Sequence, residues 1–174
     1  MKKPLILIVD DDIEITKAFS EAILDSGNYE VLAANSGKAA LEMISSNKTL
    51  MGVGANNVKL ILLDIRMPEM SGIELLDRLE KDFGGRMDVI MVTAFDDDDN
   101  WSDSFFAHSN VIAFLKKPID RKGLVEVIDK YFRGDKEKLR QASKWEYGSR
   151  SIMQQQEKTK KEIKSQKGSL PKEK

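Results

Sequence analysis

Apolar residues along this chain fall into short continuous runs, each followed by a longer stretch in which they recur every three or four positions. A short apolar run bounded by turn residues reads as a strand buried on both faces, the kind that parallel sheets contain. Leu5–Val9 is the first such run, Glu30–Ala34 a weaker second, and residues 60–64 the third, with its apolar part at residues 60–63. Val89–Val92 and Val111–Leu115 complete the set. Between them, Ile15, Ala18, Phe19, Ala22 and Ile23 predict a helix that stops at Gly27. Ala40, Leu41 and Ile44 predict a second, capped by Ser36, and Leu75, Leu76 and Leu79 a third, which starts at Ser71-Gly72 and ends at Gly84-Gly85. Asp96–Asp99 opens a fourth through Trp101, Phe105 and Phe106. Asp120 caps the last, whose apolar face is Leu124, Val127, Ile128, Tyr131 and Phe132. Strands alternating with helices predict right-handed crossovers and a doubly wound, five-stranded parallel α/β sheet. Only Asn47–Val58, with Gly52 and Gly54, lacks a usable period and reads as a long connection.

Composition changes this picture in two places. The chain has 174 residues, enough for one well-cored domain and an appendage. Residues 1–134 carry 16 Lys/Arg against 23 Asp/Glu, whereas residues 135–174 carry 12 against 6. An acidic domain over 1–134 is therefore expected to be followed by a charged, partly helical or disordered basic extension over 135–174. Such a tail is usually just solvated, so nucleic-acid binding is not expected. Cysteine is absent, which excludes a disulfide framework, a thiol nucleophile and a zinc–thiolate site. Met1-Lys2-Lys3-Pro4 mimics the start of a secretion signal, but the apolar run behind it ends after Val9 in aspartates. No stretch is long enough to span a bilayer, so no membrane insertion is expected and a cytoplasmic location is.

The chemistry sits where strands end. Asp10 and Asp11 follow the first strand, Asp64 closes the third, Thr93 the fourth and Lys117 the fifth. In an open α/β sheet these carboxyl ends converge on one crevice. Carboxylates crowded there repel by about 4 kcal/mol at about 4 Å and an effective dielectric near 20, so they must take up protons or hold a cation. Oxygen donors without His or Cys favour Mg²⁺ or Mn²⁺. A hydroxyl at Thr93 and an ammonium at Lys117 complete a site suited to a phosphoryl group.

Ile6-Leu7-Ile8-Val9-Asp10-Asp11-Asp12, Leu62-Leu63-Asp64-Ile65-Arg66-Met67-Pro68-Glu69-Met70-Ser71-Gly72, Val92-Thr93-Ala94 and Phe114-Leu115-Lys116-Lys117-Pro118 together resemble the receiver domain of two-component response regulators. The resemblance covers about residues 3–133. It implies the flavodoxin-like strand order 2-1-3-4-5 and a switch rather than an enzyme. Asp64 matches the phosphoacceptor that takes a phosphoryl group from a sensor histidine kinase or phosphotransfer protein. Asp11, Asp64 and the backbone carbonyl of Arg66 match the Mg²⁺ ligands, with Asp10 acting through water. Lys117 matches the phosphate-pairing lysine, Thr93 and Phe114 the switch pair, and Pro118 a cis proline that aims Lys117. Arg66 and Phe95 match positions bordering the approach of hydrolytic water, and both are large. The family resemblance also implies an output protein reached by phosphorylation-dependent contacts, and leaves a homodimer open. Departures are the longer connection at 47–58, Ser109-Asn110 in place of a common Gly-Ala, and Phe rather than Tyr at 114.

Two rivals stay open at this point. A haloacid-dehalogenase-type phosphohydrolase would use Asp10 as nucleophile in an Asp10-x-Asp12 pattern, although Glu14 fills the position where that family has Thr or Val. A receiver-like binding module that is never phosphorylated is the other. Plainer readings stand beside the sharp ones: Asp10–Asp12 as a helix cap, Asp96–Asp99 as a solvated cap, His108 as structural, and Trp101, Phe105 and Phe106 as packing.

Overall fold

A computed structural model describes residues 2–49, 58–94 and 108–145. Five strands are present: β1 (Leu5–Val9), β2 (Glu30–Ala34), β3 (Val58–Leu63), β4 (Asp88–Thr93) and β5 (Val111–Lys116). The helices described are α1 (Ile13–Asp25), α2 (Gly37–Thr49), α3 (Gly72–Phe83), α4 (Arg121–Phe132) and α5 over residues 136–145. All strand pairs are parallel and the order is β2-β1-β3-β4-β5, as expected. The expected helix through Trp101, Phe105 and Phe106, together with Phe95 and Asp96–Asp99, lies outside the described residues.

Both faces of the sheet are covered, which is why its strands carry unbroken apolar runs. With side chains alternating along each strand, Leu7, Val9, Ile61, Leu63, Val89 and Met91 face one way and pack with Ile44 of α2 and Leu75, Leu76 and Leu79 of α3. Ile6, Ile8, Leu60, Leu62, Ile90 and Val92 face the other way, against Ile23 of α1 and Leu124 and Ile128 of α4. Two boundaries differ from the sequence reading. α2 runs on to Thr49, with no glycine there to stop it, so the first part of the expected 47–58 connection is helical. β3 begins two residues early because Val58 is buried and pairs with Leu5, ahead of a register irregularity.

Local chemistry fixes the helix starts. Ser71 caps α3 through a reciprocal capping box with Glu74, and Gly84 ends it in a left-handed conformation. Asp120 caps α4 by accepting from the Gly123 amide at 2.6 Å. At the far end of α4 the Tyr131 hydroxyl donates to Asp88 Oδ2 at 2.6 Å and lies 3.2 Å from the Lys59 carbonyl, tying the helix to β4 and β3.

Burial first, and then the neighbouring Asp88 carboxylate, push the Tyr131 phenol above its ordinary range. The folded chain therefore holds this proton more tightly than the unfolded chain does. Its contribution to stability is complete below the unfolded value near 10 and is lost as pH rises through the higher folded value. Tyr131→Phe is expected to lose about 1.5 kcal/mol at pH 7, as for a bond to a charged acceptor, with the gap to wild type narrowing above about pH 10. Urea unfolding at both pH values measures this; a gap that widens in alkali would refute the assignment.

Candidate functional site

The carboxyl ends of β1, β3, β4 and β5 open onto one crevice of about 310 Å³, bordered by Asp10, Asp11, Asp64, Arg66, Thr93 and Lys117. Every predicted site residue except Phe114 is thus brought to one place. Asp10 continues β1, its amide donating to the Ala34 carbonyl at 3.2 Å, and Asp64 continues β3, its amide donating to the Val9 carbonyl at 2.8 Å. Lys117 continues β5, its amide donating to the Thr93 carbonyl at 2.8 Å. The strand pairing therefore fixes the backbone under each functional side chain. Asp10, Asp64 and Thr93 are buried, whereas Asp11 is exposed at the rim. The Lys117–Pro118 peptide bond is cis, as the resemblance implied.

Lys117 stands between the two buried carboxylates. Its Nζ lies 2.5 Å from Asp10 Oδ2 and 2.7 Å from Asp64 Oδ1. The remaining oxygens are held by backbone amides: Asp10 Oδ1 accepts from Asp12 at 3.0 Å, and Asp64 Oδ2 from Arg66 at 2.7 Å. Burial raises the Asp10 carboxyl above its ordinary value, against the lowering effect of Lys117 and the Asp12 amide. Burial alone would lower the Lys117 ammonium, but its bonds to Asp10 and Asp64 outweigh this and hold it above its ordinary value. Lys117 is a cation in the working range, and with Asp64 it forms a charge-assisted pair at the crevice floor.

The aspartate triplet, left open by the sequence, divides its labour. Asp12 is the N-cap of α1, with Oδ1 accepting from the Glu14 amide at 2.9 Å and the Ile15 amide at 3.3 Å. Asp10 alone of the three is buried. The cap reading holds for Asp12, and Asp10 is the buried member at the crevice. Asp12 thus holds the start of α1 through Oδ1 while it also borders the crevice.

The crevice gathers the carboxylates of Asp10, Asp11 and Asp64 with no His or Cys beside them, a donor chemistry that suits a hard divalent cation. Among the described residues no three acidic or His side chains already converge into a cage. Lys117 takes the space and the charge between Asp10 and Asp64.

Three participants, Asn35, Thr16 and Ser143, escaped the sequence reading. Asn35 Nδ2 donates to the Asp10 carbonyl at 3.2 Å and lies 3.3 Å from Thr16 Oγ1, bracing the β1 end from β2 and α1. Thr16 is buried on α1, at a polar position that no apolar period includes. Phe114 is buried among the residues of the first face, and its amide donates to Ser143 Oγ on α5 at 3.2 Å. His108 pairs with Glu80 of α3 at 2.6 Å and with Asp77 at 3.5 Å, a structural clasp away from the crevice.

Comparison with known proteins points the same way. The family model described as the response regulator receiver domain matches residues 6–129. The transcriptional regulatory protein CrdR of Helicobacter pylori is 33% identical over 137 residues, which are 78% of this chain and 57% of that one. GlrR of Escherichia coli K12 is 33% identical over 125 residues, 71% of this chain and 25% of that one. This chain thus spans about half of the first relative and a quarter of the second. Among solved structures, a CheY-like receiver domain protein from Methanospirillum hungatei JF-1 is similar with a TM-score of 0.63 and 30% identity. That likeness covers 79% of this chain and 98% of the other.

Proposed function

Because this chain belongs to the response regulator receiver family, we propose that Asp64 is its phosphoacceptor and that phosphorylation there switches its contacts with other proteins. The observation that carries this reading is the buried Asp64 carboxylate at the end of β3, paired at 2.7 Å with Lys117 and sharing its crevice with Thr93. An Asp64 oxygen attacks the phosphorus of a phosphohistidine or small acyl phosphate. The bond from phosphorus to the donor breaks, the donor leaves with its electron pair, and an acyl phosphate remains on Asp64. Lys117 offsets the charge that builds on the phosphoryl oxygens, and Thr93 supplies a hydroxyl to one of them. Asp11, Asp64 and the Arg66 carbonyl, with Asp10 behind, would hold Mg²⁺ or Mn²⁺, which supplies charge neutralisation to the transferring group.

The same family membership supports a sensor histidine kinase or phosphotransfer protein as donor and a protein target as output, with a homodimer among the forms that output could take. The described helices include none long and apolar enough to cross a membrane, which is compatible with a cytoplasmic partner set. Residues 135–174 are read as a charged extension of the 1–134 receiver unit.

Incubation with acetyl phosphate and Mg²⁺, followed by peptide mass mapping, tests this reading. Added phosphoryl mass is expected on the peptide that contains Asp64 and is expected to fall sharply when the cation is chelated. Label on Asp10 instead would refute the receiver chemistry and restore the hydrolase reading. No label with any phosphodonor would favour an unphosphorylated binding module.

A further inference from the structure

β5 is the outermost strand of the sheet, and an outermost strand normally offers a row of unpaired backbone groups. Its pairing with β4 skips a residue, passing from Val89–Val111 to Ile90–Ala113, so Ile112 is an extra residue in an edge bulge. Just beyond the bulge, the Phe114 amide donates to a side chain, Ser143 Oγ of α5, rather than to another strand, and the bond is buried.

The rest of α5 is seated by residues on one face. Lys136 Nζ reaches Asp88 Oδ1 at the start of β4 at 2.7 Å. Leu139 packs against the second apolar cluster. Arg140 donates to the Ser109 carbonyl at 3.1 Å and the His108 carbonyl at 3.4 Å, on the approach to β5. Leu139, Arg140 and Ser143 are the covered positions at helical spacing, while Lys136, Glu137, Lys138, Gln141, Ala142, Lys144 and Trp145 are exposed. α5 is therefore a fitted cover on the outer side of β5.

β5 also carries the crevice lysine, three residues after Phe114. Its inner side is tied to β4 by the Lys117 amide at Thr93, and its tip is held by the Lys117 ammonium between Asp10 and Asp64. A phosphoryl group on Asp64 would compete for that ammonium and draw the strand tip to a new position. The Ser143 bond fits the position in which Lys117 bridges the two carboxylates.

We propose that α5 is an internal lock on β5, and that its docking and phosphorylation of Asp64 oppose each other. The linkage rests on Asp64 being the phosphoacceptor; the cover itself does not. By reciprocity, whatever modification does to docking, undocking does to modification, by the same factor.

Amide hydrogen exchange on the full chain tests both parts. In the unmodified protein, Ser143→Ala is expected to speed exchange at Phe114 about tenfold, equivalent to about 1.4 kcal/mol, with β1 and β3 amides unchanged. Ser143→Thr, which keeps the hydroxyl, is expected to restore protection. Unchanged exchange at Phe114 in Ser143→Ala would overturn the cover. After treatment with acetyl phosphate and Mg²⁺, with intact mass confirming one added phosphoryl group, exchange across residues 139–145 is expected to rise at least about fivefold, the lower end for coupled sites. A confirmed phosphoprotein with unchanged or slower exchange there would overturn the linkage. Absence of added mass would instead overturn the phosphoacceptor reading, and the linkage with it, while the Ser143 comparison would still decide the cover.

Discussion

Lys117→Met is expected to cost about 3 kcal/mol of stability at neutral pH without divalent cations, a fall in Tm of about 10 °C for a domain of this size. The ammonium touches Asp10 and Asp64 at 2.5 and 2.7 Å, so its loss leaves two buried carboxylates facing each other across the space it filled. At about 5 Å and an effective dielectric near 20 their repulsion is about 3 kcal/mol. The crevice opens to water, which places the cost at the lower end of what breaking a buried pair involves. Two conditions should recover the loss. Asp10, already raised by burial, loses the lowering effect of Lys117, so the variant gains stability relative to wild type as pH falls through the raised folded value. Millimolar Mg²⁺ should likewise stabilise the variant more than the wild type, since it replaces the missing charge. Adding Asp64→Asn removes one of the opposing charges and should return most of the loss, a non-additivity that a double-mutant cycle measures. Thermal unfolding of the four proteins, with and without Mg²⁺ and at pH 5 and 7, supplies the numbers. A single Lys117→Met variant as stable as wild type in the absence of metal would show that the ammonium is not what balances this site.

Much of this site was legible because the strands are buried on both faces. Val9, Leu63, Val92 and Leu115 each end or nearly end an apolar run, so the polar residues beyond them had to mark the sheet's carboxyl edge. Four such edges in sequence order, with Asp10, Asp64, Thr93 and Lys117, placed the crevice before any coordinates. The division between Asp10 and Asp12 was not legible, since a cap and a buried acid are the same residue type and only α1 geometry separates them. The docking of α5 on β5 was missed for a different reason. Leu139, Arg140 and Ser143 form a docking face of barely two turns, two of whose three members are polar, and its partners are backbone groups of β5 and its approach. Backbone groups have no signature in a sequence. Asn35 and Thr16 belong to the same class: they brace Asp10 through its carbonyl and each other. The early start of β3 at Val58 rested on pairing with Leu5, a long-range contact that no local pattern announces.

Gly72→Ala is expected to damage both folding and phosphotransfer, although it adds a single methyl group at the start of a helix. A Cβ at Gly72 would lie 2.2 Å from the Asp64 carbonyl oxygen, 3.0 Å from Ile65 Cα and 3.1 Å from the Asp64 carbonyl carbon. All three are backbone atoms, so no rotamer change relieves the overlap. The Gly72 amide donates to the Ile65 carbonyl at 2.8 Å, which holds the helix start against this turn. Relief therefore requires α3 and the Asp64–Ile65 turn to separate by about 1 Å, against the packing of Leu75, Leu76 and Leu79 in the core. Overpacking of this kind costs about 3 kcal/mol, and a displacement of about 1 Å at a reacting group can cost about a hundredfold in rate. Gly37→Ala is the matched control. Its Cβ would meet Met70 Sδ at 2.7 Å and other atoms of the same side chain, which can swing away. At the start of α2 the alanine also favours the helix, so stability there should change by less than about 1 kcal/mol. Urea unfolding and the rate of labelling by acetyl phosphate, measured on both variants, separate the two cases. Gly72→Ala matching wild type in both would mean that Asp64 is not held against α3 as closely as its backbone places it. A loss of labelling alone, with stability intact, would show that the turn yields while the core does not.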